Sequence, residues 1–375
     1  MIVAVCLPCL LLGGTEIATL NMIIALKKGG YQIRVCCYYE YDPEMVARFR
    51  QAGVQVDLLK RERGGLKELL SLTRDLRKYF LRHQPDVVHV QYFAPGMVPI
   101  LSASIGRVNN IFATVHAAGS LGYNWKAKIL FRISAFLTDH FFCVSHNTEK
   151  FWFGSVSDTA NRSEFRGTGH STIHNCVDTA KYLQSHQIPD EIPHNRPVIG
   201  IVGRIVPLKG HKALIHAFSR VKESHPDARL VVIGTGTDQE YLEDLSGQLK
   251  VNDNICWVGQ IPPEQLSKYY KAMDALAMPS HWEGFGLTAV EAMAAAKPVV
   301  GTKVPGLQEI IVDGETGFLV NIGDAEALAE KLILLIKDEK LRTDMGLAGR
   351  KRVQNKFSKN VHDRKWLTAY RSLVK

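Results

Sequence analysis

The sequence predicts an α/β protein made of two Rossmann-like halves in tandem. Short apolar runs alternate with helical patterns along the chain, as in a parallel sheet covered by helices. The alternation restarts after a proline-bearing break near residue 190, and 375 residues is about the length of two domains. In the first half, Met1–Leu7 reads as a buried strand, Gly13-Gly14 as its turn, Glu16–Lys28 as a helix and Gln32–Tyr38 as the next strand. Apolar residues at 66, 69, 70, 76 and 80 give Leu66–Arg82 helical spacing. Pro85-Asp86 leads into a strand over Val87–Gln91, and further strands are expected at Ile111–Val115, Phe141–Val144 and Thr172–His174.

Three prolines within Gln184–Pro197, and no long apolar stretch across it, mark the linker. The expected division is a first domain over 1–184, a linker over 185–197, a second domain over 198–357 and a last helix over 358–375. The second series has strands at Val198–Val202, Leu230–Ile233, Ile255–Val258, Ala275–Met278, Pro298–Gly301 and Gly317–Val320. Helices are expected at Lys212–Glu223, from Asp238, and at Pro263–Lys271, Ala289–Ala296 and Ala325–Lys337.

Composition narrows the class. Hydrophobic residues at 46% and charged residues at 22% exclude disordered and fibrous chains. Seven cysteines, two of them adjacent at Cys36-Cys37, make a poor disulfide framework and point to a reducing compartment. The longest uncharged apolar run, Met1–Leu12, falls short of the roughly 20 residues that span a bilayer and lacks a basic leader, so a cytoplasmic location is expected. The net charge of +9 divides into +6 over residues 1–190 and +3 over the remainder. Such an excess suits nucleic acid, an anionic membrane or a phosphorylated substrate.

Ligands of open parallel sheets bind beyond the carboxyl ends of the strands, so two facing halves would enclose a cleft. The richest loop is His281-Trp-Glu283-Gly284-Phe285-Gly286-Leu287, which follows a strand and opens a helix carrying Glu291. Its glycines admit close backbone approach, and the helix start offers free N–H groups and a positive dipole end to an anion. Glu291 on a helix rich in alanine needs a partner. After another strand, Gly203-Arg204 and Lys209-Gly210 supply a guanidinium fork and a point charge suited to phosphate. In the first half, Gly13-Gly14 ends the first strand, and His116 ends another beside the small residues Ala117, Ala118 and Gly119.

Together these motifs resemble glycosyltransferase family 4, the retaining nucleotide-sugar transferases with the two-domain GT-B fold, a resemblance under which the last helix could cross back to the first domain. The family's Glu-x7-Glu pattern lies on Glu283 and Glu291, its Gly-Arg-x4-Lys-Gly loop on Gly203 to Gly210, and its Gly-Gly loop on Gly13 and Gly14. Its Asn-Gly-Val-Asp corresponds to Asn175-Cys-Val-Asp178, with Cys176 in place of the glycine, and Val304-Pro-Gly306-Leu-Gln-Glu309 replaces Gly-Gly-Ile-Pro-Glu. The resemblance implies that Arg204 and Lys209 hold the donor diphosphate, aided by the N–H groups around Gly286 and Leu287. It implies further that Glu291 takes the ribose hydroxyls, Glu283 the transferred sugar, and the main chain near Gly259, Gln260 and Ile261 the base. Gly14 would approach the phosphates, and His116 the donor sugar or acceptor. A uridine diphosphate sugar is the implied donor, and a glycan or lipid-linked acceptor the implied partner, in polysaccharide or glycolipid assembly. No Asp-x-Asp occurs, so no metal and no cofactor is expected.

Other readings carry less. Cys6-Leu-Pro-Cys9 has the spacing of a redox dithiol but straddles a strand end rather than a helix start. Gly234-Thr-Gly236 lacks the third glycine of a nicotinamide fingerprint, and a sugar-nucleotide epimerase on the same fold is disfavoured by the Glu283/Glu291 motif. Asn161-Arg-Ser163 is a sequon without consequence in a cytoplasmic protein. Nucleic-acid binding would need base-stacking aromatics on a basic face, yet the basic residues spread over both halves. Two segments, Lys60–Arg82 with eight Lys or Arg and Tyr123–Leu137 with Trp125, Lys126, Lys128, Phe131, Arg132 and Phe136, suit an anionic membrane surface.

Overall fold

Strands made of unbroken β-branched and apolar runs are buried on both faces, as parallel sheets require. In chain order the computed structural model contains β1 (Ile2–Leu7), α1 (Gly14–Lys28), β2 (Gln32–Cys37), α2 (Pro43–Gln51), β3 (Gln55–Leu58), α3 (Leu66–His83), β4 (Val87–Tyr92), α4 (Met97–Ile105), β5 (Asn110–Val115), α5 (Trp125–Phe136), β6 (His140–Cys143), α6 (His146–Phe153) and β7 (Gly169–Thr172). Next come α7 (Thr179–Leu183), β8 (Val198–Val202), α8 (His211–Ser224), β9 (Arg229–Ile233), α9 (Gln239–Gln248), β10 (Ile255–Gly259), α10 (Leu266–Ala272), β11 (Ala275–Met278), α11 (Leu287–Ala294), β12 (Val299–Thr302), α12 (Pro305–Ile310), β13 (Gly317–Val320), α13 (Ala325–Lys337), α14 (Glu339–Lys356) and α15 (Lys359–Leu373). The structure describes every residue except 93–96, 117–124, 158–168, 184–186, 193–195 and 375, and leaves the side chains of 92 and 125–128 undescribed.

Two compact units result, one of Met1–Asn175 with Asn360–Lys375, the other of Cys176–Lys359. The first holds a seven-stranded sheet in the order β3-β2-β1-β4-β5-β6-β7, the second a six-stranded sheet in the order β10-β9-β8-β11-β12-β13. All neighbours in both sheets run parallel. Strand order reverses between β1 and β4 in one unit and between β8 and β11 in the other, and these switch points are where doubly wound sheets bind ligands.

The last helix belongs to the first unit. Trp366, Ala369 and Tyr370 of α15 are buried in the core with Val3, Val5, Phe112 and Phe142. Tyr370 Oη lies 2.6 Å from His89 Nδ1, whose Nε2 lies 2.7 Å from Thr114 Oγ1. Complete burial pushes the His89 imidazole down to about 3, so it stays neutral between its two hydroxyl partners. Lys28 of α1 closes the contact with a 2.6 Å ion pair to Asp363.

Several elements differ from the sequence expectation. The strand expected at Thr172–His174 lies at Gly169–Thr172, and the helix expected from Pro263 starts at Leu266. The helix expected from Ala289 begins at Leu287, directly after Gly286. Unanticipated elements include the four-residue strand β3, whose side chains are all partly exposed, and α14, which has almost no amphipathic bias yet packs on α11. Residues 187–192, within the expected linker, lie in the second unit.

Candidate functional site

In the second unit the chemistry gathers on the two loops that leave β8 and β11, the strands flanking the switch point. After β8 the chain passes Gly203 and Arg204 and forms a 3-10 turn over Pro207–Lys209. Gly210 then caps α8 with φ +73, and a Cβ there would stand 2.0 Å from the Pro279 carbonyl oxygen. Glycine is therefore what lets this loop meet the one after β11. The His281 N–H donates to the Leu208 carbonyl at 2.9 Å across the same contact.

That approach brings Lys209 and Glu283 together. Lys209 Nζ is 2.6 Å from Glu283 Oε1, and Ser280 Oγ donates to the same oxygen at 2.9 Å. Glu283 is only 8% exposed, so its charge depends on these two donors. The Thr302 hydroxyl anchors the Ser280 carbonyl. Gly306 makes room for the loop, since a Cβ there would stand 2.6 Å from the Glu283 carbonyl oxygen. Gly306 lies at the start of the short helix α12, with Pro305 at its first position. Arg204 is exposed on the same loop as Lys209, and among the described residues no carboxylate lies within ion-pair distance of it.

Gly284 and Phe285 are buried, Phe285 against Phe357 at 5.6 Å between ring centroids. Gly286, at φ +100, turns the chain into α11, and no side chain caps that helix. The N–H groups of Leu287 and Thr288 come before the first intrahelical bond, made by Ala289, and among the described residues no backbone carbonyl takes them. One and a half turns on, Glu291 Oε2 accepts from Tyr270 Oη at 2.7 Å, and the Tyr182 hydroxyl donates to the same carboxylate. Burial pushes the Glu291 carboxyl up to about 7, opposed by both hydroxyls and by Lys181. Glu283 and Glu291 thus have separate partner sets. Gln260 is exposed and Ile261 half-buried just past Gly259, which ends β10 at φ +79.

In the first unit Gly13 is the extended N-cap of α1, and Gly14 is its first, exposed residue. A Cβ on Gly13 would stand 2.7 Å from a carboxylate oxygen of the buried Glu16. His116 follows β5, with its Nε2 2.6 Å from the Gln91 amide oxygen, and burial pushes its imidazole down to about 3. Its expected neighbours Ala117, Ala118 and Gly119 lie outside the described residues, as do Tyr123 and Asn161-Arg-Ser163, while the side chains of Trp125, Lys126 and Lys128 are undescribed.

Sequence reasoning missed Ser280, Tyr270, Tyr182 and Gln91. Ser280 was findable as a hydroxyl three residues before Glu283, whereas the tyrosines and Gln91 look like ordinary core and strand residues. The dithiol reading finds a physical counter-argument. Cys9 Sγ donates to Glu16 Oε1 at 3.6 Å, and burial with that carboxylate pushes the thiol up to about 11, away from the thiolate. All seven cysteines are free. Gly234 and Gly236 have packing roles, because a Cβ on either would strike the carbonyl oxygen of Gly203 or Ile205 at 2.0 and 2.1 Å.

Two family models match the chain. Residues 12–154 match glycosyltransferase family 4, and residues 184–352 match glycosyl transferases group 1. The chain belongs to glycosyltransferase family 4. Among curated relatives of this family 4 chain, the capsular polysaccharide biosynthesis glycosyltransferase CapM of Staphylococcus aureus is 40% identical over 165 residues, 44% of this chain and 43% of that protein. The D-inositol 3-phosphate glycosyltransferase of Corynebacterium efficiens is 29% identical over 70% of this chain and 65% of that protein. The chain thus spans less than two thirds of either relative. In fold it is similar to a glycosyltransferase of Rickettsia africae, with TM-score 0.82 and 21% identity over 100% and 98% of the two chains. It is also similar to Anabaena HepE in complex with UDP and glucose, with TM-score 0.80 and 19% identity over 96% and 97%. The fold is GT-B, with α15 returning to the first unit.

Proposed function

We propose that this chain is a retaining glycosyltransferase that moves a sugar from a uridine diphosphate donor to a glycan or lipid-linked acceptor of cell-surface polysaccharide or glycolipid assembly, without a metal. The observation that carries the reading is the cluster of the part-exposed Lys209 with the buried Glu283 and Ser280 at the switch point of the second sheet. Lys209 has three donors, of which Glu283 takes one, leaving others for phosphate oxygens. Arg204 adds a fork, and the N–H groups of Leu287 and Thr288 add the positive end of α11, where charge builds on the leaving diphosphate. Glu283 accepts from hydroxyls of the transferred sugar, Glu291 from the ribose, and the main chain near Gly259, Gln260 and Ile261 receives the base. Gly14 leaves room for the phosphates. His116 is a neutral donor or acceptor for sugar hydroxyls, oriented by Gln91. With no carboxylate assigned as nucleophile, the acceptor attacks from the face the diphosphate leaves, and a phosphate oxygen takes its proton. CapM, by its name, acts in capsular polysaccharide biosynthesis, which favours the acceptor class proposed.

The acceptor side belongs, in this reading, to an anionic membrane. Residues 87–138 contain no Asp or Glu and carry Arg107, Lys126, Lys128 and Arg132. Within that stretch α5 turns Phe131 into the core yet exposes Ile129, Leu130, Ile133 and Phe136, the last 92% exposed. Exposed apolar side chains beside the exposed Arg132 suit an anionic lipid surface. Charge reversal of Lys126, Lys128 and Arg132 is expected to abolish co-sedimentation with anionic liposomes, and unchanged sedimentation would remove the membrane from the proposal. Calorimetric titration with UDP and with an oligonucleotide tests the nucleotide site. UDP binding with no oligonucleotide binding is expected, and the reverse would overturn it.

A further inference from the structure

One polar cluster in the second unit exceeds what the donor site requires. Glu291 is met from two elements. Tyr270 of α10 is fully buried and donates at 2.7 Å, and Tyr182 of α7, its ring 6.1 Å from that of Tyr270, is a second hydrogen-bonding partner of the carboxylate. Helix α7 packs on both α10 and α11 and is the first helix after the chain enters this unit at Cys176. Burial raises both phenols, which keeps each hydroxyl protonated as a donor. A carboxylate offers about four acceptor positions. Two occupied by tyrosines fix the plane of the group and leave the remainder for a pair of neighbouring hydroxyls.

We infer that Tyr182 and Tyr270 are positioning residues. They hold the Glu291 carboxyl group oriented for the vicinal hydroxyls of the donor's nucleoside, and through Tyr182 they tie α7 to nucleoside binding. The inference rests on Glu291 being the ribose-binding residue of the proposed site. The two tyrosines partly offset the desolvation of a carboxyl group that sits on the helix whose N-terminus, in the proposed function, meets the diphosphate. Charged groups on the elements packed around α11 are Lys181 on α7, Lys268 and Lys271 on α10, Glu309 on α12, and Arg350 on α14, whose Nε binds the Ala294 carbonyl at 3.1 Å. Of these, Lys181 acts on the Glu291 carboxyl, in the same sense as the tyrosines.

The test is UDP affinity measured calorimetrically from pH 5.5 to 8.5 on the full chain and on Tyr182→Phe, Tyr270→Phe and Glu291→Gln, with donor KM and kcat for each. The wild-type protein is expected to bind UDP more tightly as pH rises through the ionisation of Glu291. Each Phe variant should bind UDP about tenfold more weakly, the effect of one hydrogen bond to a charged group. Its binding midpoint should move to higher pH, because one of two donors favouring the carboxylate is gone, and donor KM should rise with kcat little changed. A merely structural role would leave the midpoint where it is. Folded Phe variants with wild-type UDP affinity and an unmoved midpoint, beside a weakened Glu291→Gln, would overturn the positioning role alone. Glu291→Gln binding UDP as the wild type does, at every pH, would overturn the ribose assignment beneath it. Should Tyr270→Phe fail to fold, the half-exposed Tyr182 carries the test.

Discussion

At the scale of single residues, the decisive pair is Lys209 and Glu283. Substituting Lys209 by Ala leaves Glu283 buried with Ser280 as its remaining donor and removes the point charge proposed for the diphosphate. Donor turnover is expected to fall about 10²–10³-fold, the range for one lost electrostatic stabiliser, as read from kcat with saturating donor. Glu291 makes a second prediction, about stability. Its folded carboxyl titrates near 7 and its unfolded one near about 4.3. Between those values the folded state holds a proton that the unfolded state has released. Stability contributed by this group is therefore present below the unfolded value and is lost as pH rises towards 7. The Tm advantage of Glu291→Gln over the wild type should grow from pH 5 to pH 8, and a constant difference would contradict the buried ionisation. Both glutamates were legible from sequence because Gly284 and Gly286 set them on a strand–turn–helix loop. Tyr182 and Tyr270 were not, since a tyrosine on a short helix has the same pattern whether it fills a core or donates to a carboxylate.

At the scale of elements, glycines decide how loops and helices approach. Gly210→Ala would place a methyl group 2.0 Å from a backbone oxygen at φ +73. The loops after β8 and β11 would have to part, at a cost of about 1–3 kcal/mol for the strained residue alone. A lowered Tm together with weakened UDP binding is expected, and an unchanged protein would mean that the loops do not depend on this contact. Strands such as Val198–Val202 and Ala275–Met278 could be placed to the residue because a buried parallel strand is a short, unbroken apolar run. The strand Gln55–Leu58 could not, because a partly exposed edge strand carries Gln, Asp and only two apolar residues. Helix 339–356 escaped for a related reason. It buries Gly346 and Gly349, whose small size admits α11 and the turn after it, and such contacts leave no apolar stripe in the sequence.

At the scale of the molecule, the C-terminal helix completes the first unit although the second unit intervenes in sequence. Tyr370→Phe would keep the packing but leave His89 Nδ1 without its hydroxyl, at a cost of about 1–3 kcal/mol, while Tyr370→Ala should cost about 3–5 kcal/mol. Thermal unfolding monitored for each unit separately should show the loss in the first unit alone, and a loss confined to the second would contradict the packing of α15. Its return across the chain could be expected only from the family resemblance, because helical spacing says nothing about which of two cores a terminal helix covers. The proposed function would account for part of the positive charge, with Arg204 and Lys209 set against a diphosphate and the acid-free stretch of the first unit against a membrane. The most direct measurement is a hydrolysis and transfer screen across nucleotide sugars, with Lys209→Ala and Glu283→Ala as comparisons. A uridine diphosphate sugar cleaved with retention by the wild type, and at least about 100-fold more slowly by both variants, is the predicted result. Full activity in both variants would contradict it.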